Sequence, residues 1–305
     1  MNLEHLRALL AVIDHGTFEA AGTALQVTPS AISQRIKALE SATGRVLVQR
    51  SAPCRPTSAG EVLLRTARQM VLLEEDARAA LGEGGAPGLE LPVAVNADSL
   101  ATWFEPVLAA AATWPDTLLR LAVEDEEHSS EHLRRGHVLA AVSADPTAVS
   151  GCRTEVLGAM RYLPVAAPFV AERHRSGRGV DWQRMPVLRF NAKDDLQHSV
   201  LRGLGVTDPP PCSHVPSSEG FLAAVRAGLG WAMVPEAQLG DDLETGRLVL
   251  LRRRAHVDVT LHWQVWSLQT SRVGRLGDAV REAARALRPA RAGGRRAVAA
   301  VGGSH

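Results

Sequence analysis

Cysteine, lysine, asparagine and isoleucine are scarce in this 305-residue chain, and long apolar runs and recognisable catalytic signatures are missing. The three cysteines, Cys54, Cys152 and Cys212, are odd in number and far apart, which argues against a disulfide framework and for a reducing compartment. No stretch approaches the roughly 20 apolar residues that span a bilayer. The opening MNLEHLRALLAVIDHG sets acids and a histidine inside its apolar pattern, unlike a signal peptide. A soluble cytoplasmic protein is the expectation. The formal charge of +1 excludes a protein that coats nucleic acid over its whole surface, so any DNA contact must come from a local basic patch.

Of the 34 basic residues only Lys37 and Lys193 are lysine. Asparagine occurs only at positions 2, 96 and 191, and the isoleucines (Ile13, Ile32, Ile36) crowd the N-terminus. Such a bias suits a GC-rich genome and makes the exceptions faint hints of local chemical need. There is no G-x-S-x-G elbow, P-loop or G-x-G-x-x-G, so an enzyme is not expected and no catalytic residue is named. His128 and His132 have the i, i+4 spacing of a helical metal pair, but without further ligands they read as a solvated helix start, and no metal or cofactor is expected. Cys54 lacks a neighbouring thiol and reads as a plain one. The six tryptophans read as core or cleft walls.

What is present is organised. At 46% hydrophobic residues the chain can bury two or three cores. Leu3, Leu6, Leu9, Leu10 and Ile13 recur at helical spacing, and Gly16 breaks that first helix. Thr17 can cap a second, small-residue helix and Thr28 a third, with Pro29 at its first position. The third helix has two faces: Ile32, Ile36 and Leu39 point inward, whereas Ser30, Ser33, Gln34 and Lys37 form a polar stripe. Gly44 ends it, RVLVQR reads as a short strand and SAPCRPT as the turn of a wing. From Thr57 to Leu81 runs a long helical pattern whose apolar stripe needs a cover, most simply a second copy through Leu63, Ala67, Met70, Ala77 and Leu81. GEGGAPG then reads as a hinge.

Beyond the hinge the texture becomes α/β. LELPVAV, TLLRLAV and VLAAVSA read as buried strands, followed by others near 162–167, 187–190, 231–234 and 257–266, which predicts parallel sheets. The Gly-, Ala- and Arg-rich end from about residue 289 reads as a disordered tail.

A short polar stripe behind a tight turn suits the major groove, where glutamine can pair with adenine. Over residues 35–55 the bases Arg35, Lys37, Arg45, Arg50 and Arg55 face one acid, Glu40, which supplies the local patch. On periodicity alone a solvated helix face fits equally well. The run FEAAGTALQVTPSAISQRIKALESATGRVLVQR, however, resembles the N-terminal signature of LysR-type transcriptional regulators, unbroken over about sixty residues. The resemblance implies a winged helix-turn-helix with a reading third helix, a wing at the minor groove and a dimerising linker helix. On this chain the DNA-contact candidates are Thr28, Ser30, Ser33, Gln34, Arg35, Lys37, Arg50 and Arg55. The wing, SAPCRPTSAG, departs from the plainer pattern of most of the family. With VTPSAISQRIKALE it resembles the LysG/ArgP-like branch, which controls basic amino-acid export and senses lysine, arginine or histidine.

The resemblance also implies a two-lobed effector domain like periplasmic binding proteins, with the ligand between the lobes. The domains expected are 1–58 for the winged helix-turn-helix, 59–88 for linker helix and hinge, 89–288 for the effector domain and 289–305 for the tail. Lobe one takes 89–161 and 267–288, lobe two 162–266. VNADSLATWF sets Asn96, Asp98 and Ser99 at a strand-to-helix junction suited to an anion. VEDEEH sets Glu124 and Asp125 after the next strand, RFNAKDDL sets Asp194 in lobe two, and VPSSEGF offers Ser217 and Ser218. A buried cation would need such acids. Each segment alone reads more readily as ordinary helix capping; together they resemble the pocket segments of the branch. The expected partners are double-stranded operator DNA, the effector, a dimer or tetramer of the chain itself and RNA polymerase. Alternatives are a regulator of the same family sensing another small acid, or a DNA-binding domain fused to a solute-binding or enzymatic module.

Overall fold

A computed structural model of the chain describes residues 2–81, 88–124, 129–177, 179–208, 210–252, 255–267, 270–290 and 297–299. Helices α1 (Leu3–His15), α2 (Phe18–Ala24) and α3 (Pro29–Thr43) lead into a two-stranded wing of β1 (Val48–Gln49) and β2 (Arg55–Pro56) and the long helix α4 (Ser58–Ala80). The caps are the ones the sequence offers: Thr17 Oγ1 accepts from the N–H of Ala20, and Thr28 Oγ1 from that of Ala31, while Gly16 and Gly44 end α1 and α3 in the left-handed region. Gly22 lets the turn after α2 close: its carbonyl accepts from Val27 N–H at 2.9 Å, and a Cβ there would stand 2.8 Å from the Val27 carbonyl oxygen.

Helix α4 carries two apolar stripes, which differs from the single stripe expected. Leu64, Ala67 and Val71 are buried in the head against Leu6, Leu9, Ile32 and Ile36. Ala67 therefore cannot face a second chain, which corrects its assignment to the pairing surface, and Leu63 is half-buried beside it. The outward stripe is Val62, Thr66, Met70, Leu73, Ala77 and Leu81, all exposed.

In the effector region β3 (Leu89–Asn96) lies between β4 (Thr117–Glu124) and β5 (Ala140–Ser143), all parallel, with α5 (Ala97–Leu100), α6 (Glu105–Ala111) and α7 (Ser129–Arg134) as connections. Two long strands then break the parallel pattern. Strand β6 (Cys152–Ala166) pairs antiparallel with β13 (His256–Trp266), which pairs antiparallel with β5. The sequence shows only the last third of β6, from Tyr162, because residues 152–157 mix half-buried with exposed positions and carry no apolar run. The ladder shifts register between Leu261 and His262, opposite Gly158.

Lobe two follows with α8 (Pro168–Arg173), the small hairpin β7 (Arg175–Ser176) and β8 (Gly179–Val180), and β9 (Val187–Arg189). Helix α9 (Leu196–Gly203), β10 (Cys212–His214), α10 (Ser218–Arg226), β11 (Ala232–Pro235) and β12 (Val249–Leu250) complete it. Its sheet pairs β9 with β10 in parallel, and its core gathers Val165, Leu188, Phe221, Val225 and Val234. Helix α11 (Ser271–Ala283) returns to lobe one. Within the stretch expected to be disordered, Ala297–Ala299 form β14, paired antiparallel with the start of β13. Among the described residues no helix is long and apolar enough to cross a membrane.

On the side of lobe one that faces α4 sits His137, its ring centroid 5.6 Å from that of His132. Burial first, then the positive charges of His132 and Arg68, push its pKa from 6.5 down to about 4. The unfolded chain binds this proton near the ordinary histidine value and the folded chain refuses it until about 4, so the stabilisation is complete above 6.5 and is lost as pH falls between the two. Because the ring keeps some solvent contact, the loss is on the order of 2 kcal/mol. His137→Asn is expected to flatten this part of the pH dependence, read as urea midpoints at neutral and mildly acid pH. Parallel curves for the two proteins would remove His137 as the cause.

Candidate DNA interface and effector cleft

The candidate DNA-binding surface is assembled by α3 and the wing. Thr28, Ser30, Gln34 and Lys37 are exposed, Ser33 is half-buried between them, and Ile32, Ile36 and Leu39 anchor the opposite face at no more than 1% exposure. The Thr28 and Ser30 hydroxyls lie 2.9 Å apart, so the polar stripe begins in an ordered cap. Glu40 accepts from the N–H of Leu47 at 2.9 Å, which ties the one acid of the region to the entry of the wing. The candidate bases are not equivalent. Arg35 stands 3.3 Å from Glu4 of α1, and Arg50 lies over the Phe18 ring at 5.3 Å, whereas Lys37 and Arg55 project outward. Cys54 is buried in the head, and desolvation raises its thiol pKa, which disfavours the reactive thiolate.

The second site lies where β3, β6 and the start of α10 meet. Asp98 in α5 uses both carboxylate oxygens: Oδ2 accepts from the Tyr162 hydroxyl and Oδ1 from the Ser218 hydroxyl, each at 2.9 Å. Ser218 in turn accepts from the Gln238 side-chain amide at 2.8 Å. One carboxylate from lobe one is thus tied to the crossover strand and to lobe two. Asn96 is buried at the end of β3, where the ladder sets it opposite Glu124 of β4. The Ser99 hydroxyl is fully buried and accepts or donates no hydrogen bond among the described residues. Asp125 lies outside the described residues, as does His128.

Two other candidates serve their own loops. The Asp194 carboxylate accepts from the N–H groups of Phe190 (2.9 Å) and Leu196 (3.1 Å) and so builds the turn before α9. Ser217 caps α10 by accepting from Gly220 N–H at 3.2 Å and is exposed. The sequence reading passed over Tyr162 and Gln238. Tyr162 is the only tyrosine of the chain and is 1% exposed, and that rarity was the available signal.

Residues 3–61 match the family model described as a bacterial regulatory helix-turn-helix protein of the lysR family, and residues 84–290 match that of the LysR substrate binding domain. The chain is 50% identical to the lysine export transcriptional regulatory protein LysG of Corynebacterium efficiens, over 94% of its own length and 99% of that relative. It is 42% identical to the transcriptional regulator ArgP of Pseudomonas fluorescens, over 86% of its length and 89% of the relative. Among solved structures, full-length LysG of Corynebacterium glutamicum with bound effector Arg superposes with a TM-score of 0.75 at 46% identity, covering 95% of this chain and all of that one. ArgP of Mycobacterium tuberculosis superposes at 0.81 with 43% identity, covering 94% and 98%.

Proposed function

Because the chain belongs to the LysR family of bacterial helix-turn-helix transcriptional regulators, we propose that it works in the cytoplasm as a regulator whose effector is a basic amino acid, governing export or related genes. The observation that carries the effector reading is the Asp98 carboxylate held between Tyr162 and Ser218 at the junction of the two lobes. A cation entering a closing cleft must exchange water for a counter-charge, and Asp98 supplies it where both lobes can respond. The arginine bound by the Corynebacterium glutamicum relative supports the same ligand class. The buried Ser99 hydroxyl and the start of α10 at Ser217 and Ser218 offer donors for the ligand's carboxylate. The effector can shift the protein between states only by binding one of them more tightly, and closure onto Asp98 and Ser218 provides that difference.

Calorimetric titration with arginine, lysine and histidine, set against neutral amino acids of similar length, tests this reading. Saturable binding confined to the basic set is expected, and equal binding of the neutral set would sink it.

On the DNA side, the exposed α3 face carries the reading, with Gln34 assigned to base edges and Lys37 to phosphate. Gln34→Ala is expected to narrow the gap between selected and random duplexes, each mismatched readout being worth about 1–3 kcal/mol. Lys37→Ala should weaken both duplexes alike and reduce the slope of log K against log salt by about one. Fluorescence anisotropy across a salt series separates the two. The same loss on both duplexes for both variants would refute the division of roles.

A further inference from the structure

We propose that Asp14, in the last turn of α1, is the pin by which lobe one of the effector domain holds the DNA-binding head, so that motion of the lobe is transmitted to the recognition helix. The inference rests on the effector reading above for what moves the lobe, and on the following contacts for the pin itself.

Arg68 of α4 is 8% exposed, and each of its three guanidinium nitrogens donates a hydrogen bond. Nε donates to the Gly136 carbonyl of lobe one at 2.6 Å, and the two terminal nitrogens donate to the two oxygens of Asp14. Arg120, on β4 of lobe one, donates to the same Asp14 Oδ1 at 3.1 Å and stands 3.2 Å from Glu90. A single head carboxylate is therefore shared between an arginine of the linker helix and an arginine of the effector domain. Helix α1 packs directly on α3, so a displacement of Asp14 displaces the helix that carries Gln34 and Lys37.

The fit around the pin is close. Gly136 has φ +73°, and a Cβ there would stand 2.5 Å from Arg65 Cγ and 2.8 Å from the Arg65 backbone nitrogen, so lobe one touches the helix backbone at this turn. Arg65 also donates to the Arg134 carbonyl at 2.8 Å. About two turns further along α4, Asp76 accepts from Ser271 N–H at 3.0 Å and from Arg272 Nη1 at 2.7 Å, both at the start of α11. Lobe one grips the linker helix at both places through directional, charged contacts. Desolvation offsets much of what such pairs gain in attraction, so they register geometry at small net free energy, as a contact made in one state and released in another requires. An apolar seam would hold more tightly and discriminate less.

The test uses the full chain, an end-labelled duplex recovered by in vitro selection on that chain, and arginine as the probe effector. Energy transfer between the duplex ends reports bending, anisotropy reports affinity, and calorimetry reports arginine binding. Arg120→Gln removes lobe one's charge from Asp14 at a half-exposed position, and Gly136→Ala separates lobe from helix without touching a charge. Both are expected to bind arginine and the duplex within about twofold of the parent, while the arginine-driven change in energy transfer falls at least fivefold, the low end of ordinary coupling. Variants that respond as the parent does would overturn the pin while leaving the effector reading intact. A parent complex unmoved by arginine, despite binding it, would overturn transmission through this contact, and a parent that does not bind arginine would remove the effector reading with it.

Discussion

Asp98→Ala is expected to weaken arginine binding at least about thirtyfold. The Asp98 carboxylate accepts from the hydroxyl of Tyr162, a residue that is 1% exposed, and from the Ser218 hydroxyl. The substitution takes away the carboxylate that accepts from the Tyr162 hydroxyl and deprives the incoming cation of its counter-charge. Truncating one partner of a desolvated charge pair costs about 2–5 kcal/mol, which is roughly thirtyfold to several thousandfold in Kd. Asp98→Asn separates the two contributions, since it keeps the volume and one acceptor oxygen but loses the charge. It should weaken arginine by at least about thirtyfold and weaken citrulline, the neutral isostere, far less. Tyr162→Phe removes one hydrogen bond to a charged group and should cost no more than about 3 kcal/mol. Calorimetry on the three variants decides the matter: an unchanged arginine affinity in Asp98→Asn would place the cation elsewhere.

What the residues disclose before folding depends on whether a signal is local. The head was legible because each of its elements is punctuated within a few residues: Thr17 and Thr28 cap, Gly16 and Gly44 terminate, and Ile32, Ile36 and Leu39 mark one face. Helix α4 was not, because its two apolar stripes merge in any periodicity count, and only the neighbour at Ile32 and Leu9 decides that Ala67 faces inward and Met70 outward. The start of β6 was hidden for a related reason: half-buried and exposed residues mix there and leave no run. At the cleft, the strand-to-helix junction after β3 pointed to Asp98 and a separate helix start pointed to Ser218. Their meeting across 120 residues, and Tyr162 between them, is a product of topology that no local pattern encodes. Asp194 shows the converse, for its local loop-building role and a ligand role have the same sequence appearance, and the observed hydrogen bonds to Phe190 and Leu196 are the local ones.

The outward stripe of α4 is expected to be what pairs two chains, and charging it should separate them without unfolding either. Val62, Met70, Leu73 and Leu81 are 56%, 41%, 47% and 76% exposed and follow one another at steps that keep them on one helix face. At its lower end the stripe runs into a groove of about 580 Å³ lined by Thr43, Arg45, Leu47, Ala59, Val62 and Leu63, a receptacle beside the head for side chains of another helix. Burying each large side chain contributes roughly 1.5–3 kcal/mol, doubled by two-fold symmetry, so four positions suffice for a stable pair. Met70→Glu combined with Leu73→Glu places four carboxylates in that seam and should yield monomers in analytical ultracentrifugation. Two recognition helices on one dimer gain about a hundredfold to ten-thousandfold in affinity from the second contact being intramolecular, and the monomeric variant should lose that gain on a two-half-site duplex. The head should nonetheless melt as in the parent, because neither side chain contributes to its core. Ala67→Glu supplies the contrast: it buries a charge against Leu9 and Ile36 and should unfold the head. A double variant that stays dimeric would show that the chains associate through the effector domains alone, and the long helix would then serve only as the lever between lobe one and the head.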